Sequence, residues 1–376
     1  MRRLLLLTLL LTMIFGCGTV KNSLENEVKK KEVRSEAERG EEERSIEAVV
    51  IYDLDIDFSK ESIRALEIYN DEVIGIGSSK GFSILNFKSI NEVVHVGSTV
   101  EDKNDKGEVI KTYAFRSVAF NEDSFFVQSI ESPASLYKCN LDLDCKLVYE
   151  ERHEKAFYDS VEFWNDKEGI AMGDPTEDCL SIIVTRDEGE TWNKLPCSTL
   201  PKVAEGEAAF AASDTNIAIV GEQAWIISGG VKSRVFHTSD KGKTWEVVET
   251  PLVQGTGSQG GYSIDFFDAQ NGFIIGGDYT KAEDDIANKA ITNDGGKTWQ
   301  LIADGQEPDY RSCVQYIPNG KGNELVAVGF RGISYSNDFG KTWKKLSEES
   351  FFTIRFLDAS TAYAAGKGRV SKLIFK

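Results

Sequence analysis

Short runs in which apolar and polar residues alternate recur along most of the chain, a pattern typical of half-buried β-strands. Most of these runs are followed, after a turn, by an apolar run that ends in glycine. Clear examples are residues 160–163 with 169–173 and residues 263–266 with 272–277. The same pair of runs occurs at 64–68 with 73–77, at 117–120 with 125–128, and at 353–356 with 362–366. The pattern predicts an all-β fold of antiparallel strands.

Four segments share the pattern Ser/Thr-x-Asp-x-Gly-x-Thr-Trp, and their starts lie 53, 54 and 44 residues apart. This period suits one repeat in each four-stranded blade of a β-propeller. In such a turn the Asp carboxylate accepts backbone N–H groups, the Gly takes a positive φ, and the Trp packs between blades. The structural residues of the four repeats are Asp187, Gly189, Trp192, Asp240, Gly242, Trp245, Asp294, Gly296, Trp299, Asp338, Gly340 and Trp343.

The repeat resembles the Asp-box, or BNR repeat, of sialidases, sortilin-type receptors and photosystem II assembly factors. Over residues 160–376 the chain most closely resembles the photosystem II stability and assembly factor family, which belongs to the wider WD40/YVTN-like group of propellers. The resemblance implies a non-catalytic, extracytoplasmic platform that holds a protein partner while a membrane complex assembles.

Boxed and unboxed units together number seven, so we predict a seven-bladed propeller of four-stranded antiparallel blades. The last unit, at 351–376, has room for three short strands. We therefore expect the strand at 47–52 to complete that blade and remove an exposed sheet edge. Six and eight blades remain alternatives.

The N-terminal residues indicate export. Two arginines precede an apolar run at 4–15 that is too short to span a bilayer, and the run ends at Gly16 and Cys17 as in a bacterial lipobox. We predict a signal peptide at 1–16, a lipidated Cys17 with a charged tether up to residue 46, and a propeller domain at 47–376. An ordinary secretory signal is the alternative. The N-terminus resembles that of bacterial lipoproteins, and under their sorting rule Gly18 after the cysteine implies the outer membrane in a Gram-negative host, at either its periplasmic face or the cell surface.

The net charge of −18 lies almost entirely on the propeller domain, because the tether nearly balances seven basic against eight acidic side chains. An acidic field repels nucleic acid and anionic lipid head groups. Basic or neutral partners are expected, proteins in preference to glycans, and the membrane link is expected to be the lipid on Cys17 alone.

The cysteines give a test of the predicted turns. Cys179 and Cys197 are symmetric about a repeat turn, and Cys139 and Cys145 are symmetric about Asp142, so each pair is expected to form a disulfide in an oxidising compartment. Cys313 is expected to be buried and free. Neither a zinc motif nor a cofactor fingerprint is present, so no metal and no cofactor are predicted.

Candidate ligand-binding residues lie where the inner strands of a propeller begin, at the mouth of its channel. Corresponding positions of successive units carry Arg64, Arg116, Asp159, Gly206 and Tyr262. Arg311 lies one residue further out, and three converging guanidinium groups would hold a carboxylate. Residues of the types that a sialidase-like mechanism needs are Asp159, Glu205, Glu207, Tyr262 and Tyr310.

Two functions therefore remain open. The first is a protein-binding or assembly scaffold without catalysis, in which the arginines pair with Asp159, Glu205 and Glu207. The second is a glycoside hydrolase that binds an acidic sugar at the channel mouth. The acidic loops at 173–178 and 277–285 are interpreted as solvated, with calcium binding as the alternative.

Overall fold

The computed structural model describes residues 44–89 and 92–376, and residues Ile46–Lys376 form one compact unit. The signal peptide, Cys17 and most of the tether lie outside the described residues. Within the described part, successive four-stranded antiparallel sheets form seven blades, which confirms the predicted fold and blade count.

Each blade is numbered in chain order and its strands run from the channel outward. Blade 1 contains Ile63–Asn70, Val73–Ser78, Gly81–Ser89 and Glu92–Ser98. Blade 2 contains Phe115–Phe120, Phe125–Ser129, Ala134–Cys139 and Cys145–Glu151, and blade 3 contains Tyr158–Phe163, Gly169–Gly173, Ser181–Thr185 and Asn193–Lys194. A short hairpin of Glu101–Lys103 and Val109–Thr112 joins blades 1 and 2.

Blade 4 contains Ile217–Val220, Gln223–Ile227, Arg234–Thr238 and Glu246–Glu249. Blade 5 contains Gln259–Phe266, Gly272–Asp278, Lys289–Thr292 and Gln300–Leu301, and its inner edge is extended by the pair Glu207–Ala208 and Gly229–Gly230. Blade 6 contains Cys313–Tyr316, Leu325–Gly329, Gly332–Ser336 and Lys344–Ser347. Two short 3₁₀ helices, Cys197–Thr199 and Tyr279–Lys281, lie in loops.

Blade 7 joins the two ends of the domain, as predicted. Thr353–Phe356, Thr361–Gly366 and Arg369–Phe375 come from the C-terminal end, and Val49–Asp53 supplies the outer strand. Ile51 pairs with Leu373, and Ile46 is buried in the core between blades 6 and 7. The N-terminal strand covers the edge that an open ring would expose.

The Asp-boxes connect the third and fourth strands of blades 3 to 6 and have the expected turn geometry. In the first box, Asp187 Oδ1 accepts the Thr191 N–H at 2.9 Å, and the Gly189 N–H donates to Thr185 Oγ1 at 3.0 Å. The four box glycines have φ between 78° and 84°. Trp192 packs on Phe126 of blade 2 and Phe163 of its own blade, so it fills the space between blades.

Both predicted disulfides form. Cys139 and Cys145 face each other across the outer hairpin of blade 2, and Cys179 and Cys197 bridge the two loops that flank the outer strands of blade 3. Cys313 is buried and free. In the described residues, no helix has the length and apolar character needed to cross a membrane.

Candidate binding site at the channel mouth

The inner strand of blade 4 begins later than the sequence suggested. The repeat pattern placed Gly206 at its start, but the strand is Ile217–Val220, and Gly206 lies in an exposed loop beside Val231. The assignment was wrong because residues 209–216, here called the channel segment, leave the blade and enter the centre of the ring. All of them except Phe210 are buried.

The channel segment is held by hydrogen bonds from blades around the ring. Ala212 O accepts from Arg64 of blade 1 and Ala211 O accepts from Arg116 of blade 2, each at 3.3 Å. Ser213 O accepts from Thr353 of blade 7 at 2.8 Å. On the opposite side, Thr215 O accepts the N–H of Ile264 in blade 5 at 3.0 Å. Because these donors surround the segment, it closes the channel behind the mouth.

Below the mouth, the channel segment meets a buried charged network. Asp214 Oδ2 accepts the Val118 N–H at 2.8 Å, and Asp214 O accepts from Arg355 Nη2 at 2.7 Å. Arg355 also donates to Glu67 Oε2 at 2.8 Å. Burial raises the pKa of Asp214 to about 8, although Arg355 acts in the opposite direction. The protonated carboxyl is thus favoured at neutral pH.

Arg64 and Arg116 lie together at the mouth, half-buried, with their Nη1 atoms on adjacent carbonyls of the channel segment. Burial lowers the pKa of both guanidinium groups, and for Arg64 the charge of Arg116 contributes and brings the value to about 10. The Arg64 guanidinium stacks on the Phe352 ring at 4.0 Å, while its Nε has no hydrogen-bond partner. This Nε is buried and closed to a ligand, so an incoming acceptor would use the other N–H groups of the two half-buried arginines.

Aromatic side chains surround Arg64 on the side of blades 5 and 6. The Phe210 and Tyr262 rings stack at 3.9 Å, and Tyr310 meets Tyr262 edge-on at 5.0 Å. From the loops of blades 5 and 6, Tyr279 contacts Tyr262 and Phe330 contacts Tyr310. The Tyr279 and Phe330 side chains are 52% and 40% exposed. We call Arg64, Arg116, Phe210, Tyr279 and Phe330 together the mouth surface.

The predicted convergence of three arginines at the mouth is wrong. Arg311 is fully buried, and it donates to Asp309 and to Ser334 Oγ, the latter at 3.0 Å within blade 6. Arg331 pairs with the other oxygen of Asp309. The extra residue between Arg311 and the inner strand turns its side chain into the blade, where its charge is neutralised away from Arg64 and Arg116.

The predicted acidic residues do not converge at the mouth either. Glu207 is buried and forms a bidentate ion pair with Arg234, at 2.9 and 2.5 Å. Glu205 is exposed in a cleft of about 590 Å³ on the blade 3 side, which Asp174 and Glu177 also line. Asp159 is fully buried beside Arg116, and burial together with the charge of Asp174 raises its pKa. Of these acids, only Asp159 adjoins a mouth arginine.

Tyr262 and Tyr310 do lie at the mouth, but neither has the environment of an activated nucleophile. Burial raises the pKa of both phenols, and the Tyr262 hydroxyl donates to Ser258 O at 2.7 Å. Among the described residues, no group of three or more His, Cys, Asp or Glu side chains is placed to bind a metal ion. The chemistry that the mouth offers is hydrogen-bond donation, positive charge and aromatic surface.

Sequence reasoning missed Phe210, Asp214, Tyr279, Phe330 and Arg355. Four of these lie in loops or in the channel segment, outside any repeated position. Arg355 did occupy a recognised inner strand, in the place that Glu67 and Glu162 occupy in blades 1 and 3. A comparison of charge signs at that position across the blades would have indicated a buried ion pair.

The fold, the repeats and the closure define an Asp-box β-propeller with seven blades. The family model described as BNR/Asp-box repeat matches residues 334–345. No curated protein matches the sequence.

Solved structures share the fold at low sequence identity. "YCF48 bound to D1 peptide" superposes with a TM-score of 0.60 at 11% identity, covering 89% of this chain and 98% of that chain. YCF48 from Cyanidioschyzon merolae gives 0.57 at 12% identity, covering 88% and 98%. The WD40 propeller domain of Doa1 gives 0.57 at 9% identity, covering 86% and 97%. The chain is therefore similar in fold to these propellers.

Proposed function

We propose that this protein is a membrane-anchored, extracytoplasmic scaffold whose mouth surface binds an extended segment of a protein partner without chemical conversion. The observation that carries the proposal is the combination of Arg64 and Arg116 with exposed Tyr279 and Phe330 over a closed channel. Aromatic and arginine side chains are the residues that most often anchor protein interfaces. A structure of YCF48, which has the same fold, is described as bound to the D1 peptide.

The geometry also indicates which peptides should bind. The free donors of Arg64 and Arg116 suit a carboxylate, and the neighbouring aromatic rings suit an aliphatic or proline side chain. Because the channel segment blocks the channel, the peptide would lie across the mouth and would not thread through the ring. We therefore expect one acidic residue next to one or two apolar residues, in a bound segment that is otherwise neutral or basic because the domain is acidic.

A randomised peptide library selected against residues 44–376 tests this proposal. Enriched peptides should combine an acidic and an apolar residue, and Arg116→Gln or Phe330→Ser should weaken their binding by about tenfold or more. Lys243→Gln, at an exposed position of the second Asp-box, is the matched control and should bind as the parent does. Peptides that bind equally to all variants would contradict the proposed site.

Acidic and neutral oligosaccharides provide a second arm of the same experiment. The scaffold proposal predicts no release of sugar from any of them. Sugar release by the parent chain that disappears in Arg116→Gln would show that the protein is an enzyme and contradict the scaffold proposal, because it would locate the reaction at the mouth.

We further propose that Cys17 carries the lipid and that the charged tether separates the propeller from the outer membrane. The supporting pattern is the short apolar run that ends at Gly16 and Cys17. Labelled fatty acid should be incorporated into the exported chain and should be lost in Cys17→Ala. Equal labelling of both chains, or none of either, would contradict lipidation at this cysteine.

A further inference from the structure

A second pocket lies where the hairpin between blades 1 and 2 folds over blade 2. Its volume is about 230 Å³, and Asp102, Tyr113, Phe115, Tyr137, Glu150 and Arg152 contribute to its lining. Pockets for drug-sized ligands measure roughly 300–1,000 Å³, so this pocket suits one side chain or one small molecule. We call it the blade 2 pocket.

Aromatic rings form much of its wall. Phe115 is fully buried, and Tyr137 packs on it with ring centroids 6.1 Å apart. The Tyr113 hydroxyl donates to Asp102 Oδ2 at 2.8 Å, which fixes the ring and the carboxylate together. Lys111 lies 4.3 Å from the Tyr113 ring centroid, so this wall already accepts an ammonium group of the chain itself.

The pocket brings two carboxylates, Asp102 and Glu150, together with two cations, Arg152 in its lining and Lys111 beside Tyr113. Burial raises the pKa of both tyrosines, and the carboxylates of Asp102 and Glu150 add to it, which brings the pKa of Tyr113 to about 12. Arg152 pairs with Glu150 at 2.6 Å, but 75% of its side chain is exposed. This surface ion pair is weak and can be displaced.

We propose that the blade 2 pocket binds an organic ammonium group, held between the carboxylates of Asp102 and Glu150 and against the rings of Tyr113 and Tyr137. Carboxylates supply charge-assisted hydrogen bonds to the N–H donors, and the rings supply cation–π contact with the attached methylene groups. The ammonium can come from a lysine side chain of a protein or from a free diamine. This site is independent of the proposed function of the mouth surface.

The test is an NMR titration of the folded domain with two ammonium probes, Nα-acetyl-lysine methylamide and cadaverine. Nα-acetyl-norleucine methylamide serves as the neutral control for the lysine probe. We expect saturable shifts at Tyr113 and Tyr137 with at least one ammonium probe and none with norleucine. Binding of the lysine probe would point to a protein source, and binding of cadaverine alone would point to a free amine.

Variants locate the interaction. Glu150→Gln and Asp102→Asn should each weaken binding by about tenfold, whereas Arg152→Ala should strengthen it several-fold because the competing cation is removed. Glu177→Gln, in the separate acidic cleft, should leave binding unchanged. If norleucine binds equally well, if neither ammonium probe binds, or if correctly folded Glu150→Gln and Asp102→Asn both bind as the parent does, the proposal is wrong.

Discussion

Arg355 of blade 7 donates through Nη2 to the backbone oxygen of Asp214 at 2.7 Å, inside the channel. The same guanidinium donates to Glu67 of blade 1 at 2.8 Å, so one side chain links the channel segment to two blades. The ring closes at the junction of these blades, because blade 7 takes its outer strand from the N-terminal end. The network therefore stabilises both the closed channel and the position of the mouth arginines above it.

Replacing Arg355 should be strongly destabilising. Arg355→Met leaves the Glu67 carboxylate and the Asp214 carbonyl without their buried partner, and loss of one member of a buried ion pair costs about 3–5 kcal/mol. Denaturant unfolding of the folded domain measures this loss. Arg152→Met, at an exposed ion pair, should change the free energy of unfolding by less than about 0.5 kcal/mol. Equal effects of the two substitutions would contradict the role given to Arg355.

The raised pKa of Asp214 predicts a pH dependence. Its folded pKa is about 8 against 3.8 for an aspartate in water, so between these values the native state binds a proton that the unfolded state has released. The contribution of Asp214 to stability is thus complete at low pH and is lost as the pH rises towards 8. Asp214→Asn keeps an oxygen for the Val118 N–H and does not titrate.

Unfolding free energies measured between pH 5 and 8 check this prediction. Asp214→Asn should gain stability relative to the parent chain as the pH rises, by at most about 1.4 kcal/mol per pH unit. Asp105→Asn, in the exposed hairpin turn, should follow the parent curve. A difference between parent and Asp214→Asn that does not change with pH, or changes in the opposite direction, would contradict the assignment.

The repeated features of the propeller could be predicted from the sequence, whereas structural features that depart from the repeat could not. The Asp-boxes and both disulfides followed from local patterns around single turns, and the closing strand followed from the count of strands in the last unit. The channel segment did not, because residues 209–216 are stabilised by donors from distant blades. The predicted position of the Arg311 side chain at the mouth was wrong for a related reason. Its side-chain direction depends on one additional residue before the strand, and the presence of Asp309 inside blade 6 decides where its charge is neutralised.

The two disulfides should contribute unequally. Cys179–Cys197 encloses a sequence separation of 18 residues and Cys139–Cys145 a separation of 6. In the chain-entropy description, loops of these lengths correspond to about 3 and about 2 kcal/mol of stability. Double serine variants, unfolded in denaturant under oxidising conditions, should show the larger loss for the first pair. The reverse order would show that strain or residual structure outweighs loop length.

The Asp-box carboxylates should stabilise their turns individually. Asp240 Oδ1 accepts the N–H groups of Lys243 and Thr244 at 3.0 and 2.9 Å, and Oδ2 accepts the Thr244 hydroxyl at 2.7 Å. The Thr238 hydroxyl also donates to Oδ1, at 3.0 Å. Asp240→Ala removes all four of these acceptor contacts and should cost about 1–2 kcal/mol. Asp240→Asn retains one oxygen and should cost less. Thermal unfolding of both variants measures the difference, and an alanine variant as stable as the parent would show that the turn does not need the carboxylate.

Closure of the ring provides the last prediction. A chain that begins at Leu54 lacks the Val49–Asp53 strand and Ile46, which is buried between blades 6 and 7. Arg369–Phe375 would then become an exposed edge strand, and exposed edges pair with other chains. We expect this chain to elute as oligomers or aggregates in size-exclusion chromatography, whereas a chain that begins at Arg44 should elute as one compact species. Addition of a synthetic peptide of residues 44–54 should restore the compact species, because the peptide can pair with the free edge. If the shorter chain is compact and melts at the same temperature as the longer one, the N-terminal strand does not hold the ring closed.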